Sequence, residues 1–97
     1  MRESQVEAHL RRGVERGGGW CIKLSSPGNA GVPDRLIILP GGRLIFVELK
    51  AETGRLTALQ TWTIQRMEQF GVDIRVLKGL EAVKEFLREV MPSGRIS

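Results

Sequence analysis

Residues 33–50 read Pro33-Asp34-Arg35-Leu36-Ile37-Ile38-Leu39-Pro40-Gly41-Gly42-Arg43-Leu44-Ile45-Phe46-Val47-Glu48-Leu49-Lys50. Two runs of aliphatic and aromatic side chains flank a Pro-Gly-Gly triplet. Such side chains suit a pleated surface and the triplet is turn chemistry, so residues 34–39 and 43–50 read as the strands of a hairpin. Both runs are apolar on both faces through their middles, with charges confined to their ends. That pattern predicts central strands of a sheet covered on each side. A three-residue turn sets Leu39 opposite Arg43, and counting outwards sets Asp34 opposite Glu48. Directly opposed residues share a face, with Cβ atoms about 4.5–5.5 Å apart. Lys50, two residues beyond Glu48, points to that face as well.

Upstream of the hairpin, Ser4-Gln5-Val6-Glu7 has the form of a capping box, with Ser4 as N-cap and Glu7 reaching back. Val6, Leu10 and Val14 then recur at helical spacing, and Gly17-Gly18-Gly19 ends the helix. From Trp20 to Ser25 the pattern alternates, which is a strand, and Ser26-Pro27-Gly28-Asn29-Ala30-Gly31 is a loop. Downstream, residues 51–56 form a polar connection. Thr57-Ala58-Leu59-Gln60 is a second capping box, opening a helix to Phe70 with Leu59, Trp62, Met67 and Phe70 expected inward, closed by Gly71. Val72, Ile74 and Val76 mark a fourth strand. A strand-helix-strand crossover makes strands three and four parallel. Residues 80–91 form a last amphipathic helix that Pro92 stops, leaving residues 93–97 as a frayed tail. The order αβββαβα predicts an α/β fold with a four-stranded mixed sheet flanked by helices.

Ninety-seven residues fit one domain, expected to span residues 1–97. No apolar run approaches the ~20 residues that cross a bilayer, and the polar N-terminus has no secretory character. With one Cys and one His there is no internal disulfide and no Cys/His zinc site, and a reducing, cytoplasmic setting is expected. A nucleophilic triad would have to rest on His9 alone, without an orienting partner. Fifteen Lys and Arg against 11 Asp and Glu leave a net charge of +4, which suits a polyanionic partner and equally a solvated surface.

Two carboxylates held this close repel each other, and a divalent cation relieves the repulsion. Carboxylates, a backbone carbonyl and waters suit Mg²⁺, and the Leu49 carbonyl is placed to join Asp34 and Glu48. Lys50 supplies a positive charge beside them that could orient or deprotonate an attacking water and stabilise charge at phosphorus. Together these describe phosphodiester hydrolysis. The same three side chains also suit an ion-pair cluster in which Lys50 neutralises Asp34 and Glu48, and the residues alone divide evenly between the two.

Pro33-Asp34 followed by Glu48-Leu49-Lys50 resembles the PD-(D/E)xK nuclease signature, and the element order resembles that superfamily's restriction-endonuclease-like core. More narrowly, Gly31-Val32-Pro33-Asp34-Arg35, the Gly41-Gly42 turn, Phe46-Val47-Glu48-Leu49-Lys50 and Leu56-Thr57-Ala58-Leu59-Gln60-Thr61-Trp62 resemble the VRR-NUC family in a minimal, stand-alone form. The resemblance runs from about Ser4 to Phe86. It implies a Mg²⁺-dependent DNA endonuclease, with Mn²⁺ as a substitute metal. It makes Asp34 and Glu48 metal ligands, Lys50 the catalytic lysine, Glu7 an acidic residue reaching the metal through water, and Gln60 a catalytic glutamine near the lysine. As capping-box residues, Glu7 and Gln60 have a second explanation. The resemblance further implies selectivity for branched DNA, such as flaps or four-way junctions. A compact nuclease of this kind suits a virus or mobile element, and for a virus the setting is the host cytoplasm. A non-catalytic DNA-binding module with a relic site is the competing reading.

Lys23, Arg35 and Arg55 flank the expected site and are candidate phosphate contacts, although isolated charges equally suit a solvated surface. Trp20 and Trp62 could stack on bases, but at this spacing they are expected in the core. Cys21 is expected as a small buried or half-buried hydrophobe. Setting aside Glu7, Asp34 and Glu48 leaves eight acids against 15 bases, a surface able to hold nucleic acid. One small domain offers one site and a short footprint, so a homodimer is expected, with the apolar side of the last helix as a possible contact.

Overall fold

A computed structural model describes residues 2–25 and 31–91. Most of the expected loop at 26–31 and the expected tail at 92–97 lie outside the described residues. The element order is α1 (Glu3–Arg16), β1 (Trp20–Lys23), β2 (Arg35–Ile38), β3 (Leu44–Lys50), α2 (Ala58–Gln69), β4 (Ile74–Lys78) and α3 (Gly79–Val90). The four strands form one sheet in the order β1-β2-β3-β4. The first three are antiparallel, and β3 and β4 are parallel, as the crossover through α2 requires.

The hairpin has the expected register. Arg35 pairs with Val47, Leu36 with Phe46, Ile37 with Ile45 and Ile38 with Leu44. The Leu39 N–H donates to the Arg43 carbonyl at 2.8 Å, closing a three-residue turn. Gly41 and Gly42 adopt φ of +91° and +87°, which a side chain would resist. One step beyond Arg35–Val47, Asp34 stands opposite Glu48.

Alternation along the strands divides the sheet into two unlike faces. Cys21, Ile37, Leu39, Ile45, Val47, Leu49 and Leu77 point to one face and pack with Val6, Leu10 and Val14 of α1 and Val83 and Phe86 of α3. α1 and α3 also pack on each other: Gly13 of α1 lies directly against the Leu87 side chain. The apolar side of α3 is therefore core, and it does not supply the free surface expected of it. Away from the site, Asp73 receives Arg43 at 3.1 Å and Arg75 at 2.7 Å, and Arg75 also reaches Glu89 at 2.9 Å.

The second face carries α2 alone and is only partly covered. Trp20 is 61% exposed and Leu44 50%. On α2 itself Leu59, Trp62 and Phe70 face solvent, with Trp62 62% and Phe70 73% exposed, so the expected inward set is corrected. The reason is orientation: Leu59, Trp62 and Phe70 lie on one side of the helix, but the crossover turns a different side to the sheet. The stripe that turns inward is Gln60, Ile64 and Met67, at i, i+4 and i+7, with Ile64 its buried centre. Neither tryptophan is in the core.

α1 also starts earlier than its expected cap. Arg2 is the N-cap, and its N–H donates to Gln5 Oε1 at 3.0 Å. Ser4 and Glu7 therefore lie inside the helix, and Glu7 has no capping task. Among the described residues, no helix is long and apolar enough to cross a membrane.

Candidate active site

Asp34, Glu48 and Lys50 meet where β2 begins and β3 ends, on the α2 side of the sheet. The hairpin register places Asp34 against the last residues of β3. Its Oδ1 accepts the Leu49 N–H at 3.1 Å, and its Oδ2 lies 3.1 Å from Arg35 Nη1. Its main-chain carbonyl accepts from the Leu24 N–H at 2.9 Å and from Arg35 Nη1 at 3.0 Å. Asp34 is thus gripped by β1, β3 and its own neighbour.

Glu48 is buried, at 5% exposure. Its Oε2 accepts from Gln60 Nε2 at 3.2 Å, and Lys50 Nζ stands 3.9 Å from the same oxygen. Its Oε1 is buried and has no hydrogen-bond partner. Burial and the neighbouring Asp34 carboxylate push the Glu48 carboxyl above its ordinary value, against the opposing pull of Lys50 and Arg35.

Gln60 performs two tasks at once. Its Oε1 accepts the Thr57 N–H at 2.9 Å, while the Gln60 N–H donates to Thr57 Oγ1 at 3.1 Å. The capping box is therefore complete. A backbone N–H can only donate, so it claims Oε1 and leaves Nε2 to face Glu48. The cap sets the polarity of the amide at the site.

The other sequence-stated candidates are more scattered. Glu7 pairs with Arg35 at 3.6 Å and Arg11 at 3.8 Å. Among the described residues no three His, Cys, Asp or Glu side chains are gathered as a ready metal site, and Glu7 instead lines a cleft with Asp34 and Arg35. Lys23 is exposed and lines a cleft of about 420 Å³ together with Glu3, Ser4, Glu7, Asp34 and Arg35. Arg55 is exposed in the β3–α2 connection. Arg35 is not a surface cation but 7% exposed, on the α1 side of the sheet. Alternation carried the signal for this: Arg35 shares the parity of the buried Ile37 and Leu39, not that of Asp34.

The donor set fits a hard divalent cation. Two carboxylates converge, and one of them presents a buried oxygen with nothing to bind. Asp34, Glu48 and the Leu49 carbonyl are the groups that would hold it.

No protein-family model matches the chain. It is similar to the protein named "Putative nuclease p44" of Acyrthosiphon pisum secondary endosymbiont phage 1, 43% identical over 77 residues, spanning 79% of this chain and 83% of the relative. It also superposes on a solved structure named VRR_NUC domain with a TM-score of 0.82 and 31% identity, covering 89% of this chain and 94% of the other. The chain belongs to the VRR-NUC family. The restriction-endonuclease-like αβββαβα core is thus that of a VRR-NUC domain. In this VRR-NUC domain the converging acidic side chains sit at the ends of central strands, where the hairpin register is set by the turn.

Proposed function

We propose that this VRR-NUC domain is a Mg²⁺-dependent DNA endonuclease that hydrolyses phosphodiester bonds. The observation that carries the reading is the buried, unpartnered Oε1 of Glu48, set beside Asp34 with Lys50 at the rim. A bound divalent ion would polarise phosphate oxygens and lower the pKa of a coordinated water. Asp34 and Glu48 would hold that ion, and the Leu49 carbonyl would complete the protein's share. Lys50 Nζ, tethered near Glu48 Oε2, orients the attacking water and offsets the charge that builds at phosphorus. Gln60 holds Glu48 Oε2 through Nε2, leaving Oε1 free. Lys23, which lines the cleft beside Asp34, and Arg55, exposed in the β3–α2 connection, are the phosphate contacts of the flanking strand.

The substrate is branched DNA, flaps or four-way junctions, in keeping with the family resemblance and the excess of 15 basic over 11 acidic residues. The phage relative supports action in a host cytoplasm. The active unit is a homodimer, which would double the basic footprint. Since α3 is committed to the core, the contact falls on the side bearing Trp62 and Phe70.

Labelled linear, flap and four-way DNAs incubated with Mg²⁺, with and without EDTA, test the reaction. Nicking of the branched DNAs that EDTA abolishes is expected. Binding without any cleavage would instead establish a non-catalytic module. Light scattering at cleaving concentrations should return the mass of two chains, and a mass of one chain would overturn the dimer.

A further inference from the structure

β3 and β4 run parallel, and their register pairs Lys50 with Lys78, two positions beyond Glu48 and Val76. In-register residues on neighbouring strands share a face about 4.8 Å apart, so Lys78 rises beside Lys50 on the side that carries Glu48. It is exposed. Two features make this an unfavourable place for a lysine. Like charges on neighbouring strands repel. Lys78 is also the N-cap of α3, where the helix dipole favours acids over bases, and its side chain makes no capping bond. Among the described residues Lys50 has Glu48, at 3.9 Å, whereas Lys78 pairs with no carboxylate. The acids near it are engaged elsewhere: Glu81 is held by Lys84 at 3.6 Å, and the stem of Glu52 lies against Gly79.

We propose that Lys78 binds the DNA phosphate next to the scissile one, so that Lys50 and Lys78 hold two consecutive phosphates of the cleaved strand. The inference rests on reading Asp34, Glu48 and Lys50 as a nuclease site. Asp34, Lys50 and Lys78 stand at the ends of β2, β3 and β4 in that order, so the phosphate track crosses the strand ends. The charges agree with this. Asp34, Glu48 and Glu7 are matched by the buried Arg35 guanidinium and one dication, which leaves Lys50 and Lys78 for two phosphates. A local rule broken without compensation in the free chain points to a bound group that supplies it. The two lysines divide the work. Lys50 lies beside Glu48 and acts on charge that develops at phosphorus, whereas Lys78 holds a phosphate whose charge does not change in the reaction. Its contact is equal in ground state and transition state, and so acts on binding.

The test is junction binding in Ca²⁺, followed by fluorescence anisotropy across a salt series, with steady-state cleavage in Mg²⁺ alongside, on wild type, Lys78→Ala and Lys78→Arg. Lys78→Ala should weaken binding about tenfold at about 0.1 M salt and lower the slope of log affinity against log salt by about one, and Lys78→Arg should restore both. In cleavage, KM should rise by about the same factor while kcat stays within about twofold. Junctions with a single neutral methylphosphonate on either side of the scissile phosphate locate the contact. At one of the two positions wild type should lose about tenfold in affinity, and Lys78→Ala less than about twofold. Unchanged binding and slope in Lys78→Ala, a fall in kcat at constant KM, or equal methylphosphonate losses in both proteins would overturn the proposal. Without DNA, Lys78→Ala should melt at or above wild type, and a clear fall would make Lys78 a structural residue instead. If wild type cuts no DNA, the nuclease reading itself fails. If wild type cuts and Lys78→Ala matches it throughout, only the role of Lys78 fails.

Discussion

Asp34 and Glu48 are neighbouring carboxylates with opposite surroundings. Asp34 has a donor for each oxygen and a buried guanidinium beside it, whereas Glu48 is buried with one oxygen unpartnered. Relief of repulsion alone would make either alanine variant melt higher than wild type. The contacts separate them: Asp34→Ala strands Arg35 and the Leu49 N–H, at a cost on the order of 1–3 kcal/mol. In EDTA, Asp34→Ala should therefore melt below wild type and Glu48→Gln at or above it, while both lose cleavage. Equal melting of the two variants would contradict this. The Glu48 carboxyl is raised above its ordinary value, so its folded state favours the neutral form. Its contribution to stability is complete below the unfolded value and is lost as pH rises through the folded one. The advantage of Glu48→Gln over wild type in metal-free denaturant melts should thus grow from acid to neutral pH, and a constant difference would count against it. Lys50 acts on charge that develops during reaction, so Lys50→Ala should lower kcat by about 10²–10⁴ with little change in DNA affinity. A defect that saturating DNA repairs would reduce Lys50 to a phosphate contact.

At the scale of elements, the hairpin and α2 meet at Gly31, two residues before the Pro33-Asp34 pair. A Cβ there would lie 2.8 Å from the Leu59 carbonyl and against the Thr63 hydroxyl. Helix backbone cannot retreat as a flexible side chain can. Gly31→Ala should therefore push α2 from the sheet, costing about 1–3 kcal/mol by overpacking, and lower kcat by loosening Gln60 from Glu48. Denaturant melts and single-turnover cleavage check both halves, and an unchanged protein would show that α2 tolerates the shift. The hairpin was legible in advance because its turn and its register are local: Pro40-Gly41-Gly42 alone sets which residues face each other. The inward side of α2 was not legible from its apolar residues. Leu59, Trp62 and Phe70 are the larger side chains, but Gln60, Ile64 and Met67 share the face that the crossover turns to the sheet. The start of α1 was misplaced for a related reason: Ser4-Gln5-Val6-Glu7 and Arg2-Glu3-Ser4-Gln5 both carry a glutamate or glutamine at the third helical position, and the chain uses the earlier one.

For the whole molecule, bases outnumber acids by 15 to 11 while the acids include both carboxylates of the site. Binding to DNA should be dominated by phosphate contacts and so fall steeply with salt. For about four phosphates neutralised, affinity should drop roughly 100-fold between 50 and 200 mM salt. Fluorescence anisotropy with a four-way junction in Ca²⁺, which resists turnover, would measure it, and a flat response would argue against an electrostatic footprint. The basic residues are spread along the chain, so the footprint depends on where the fold sets them. Asp73 offsets part of the charge of Arg43 and Arg75, and Arg35 is buried, which removes it from any such surface.

The sequence by itself determined the element order, the hairpin register and the meeting of Asp34, Glu48 and Lys50, because turn chemistry and strand alternation act between near neighbours. Only the tertiary structure decided which partners those residues keep. Strand parity already turns Arg35 inward, but its partner is settled only when α1 is laid across the sheet and Glu7 comes to its Nε. Gln60 reads as a cap or a site residue until the crossover brings α2 to Glu48, where one amide serves both through its two ends. Contacts of this kind join elements far apart in the chain, and no local pattern encodes them.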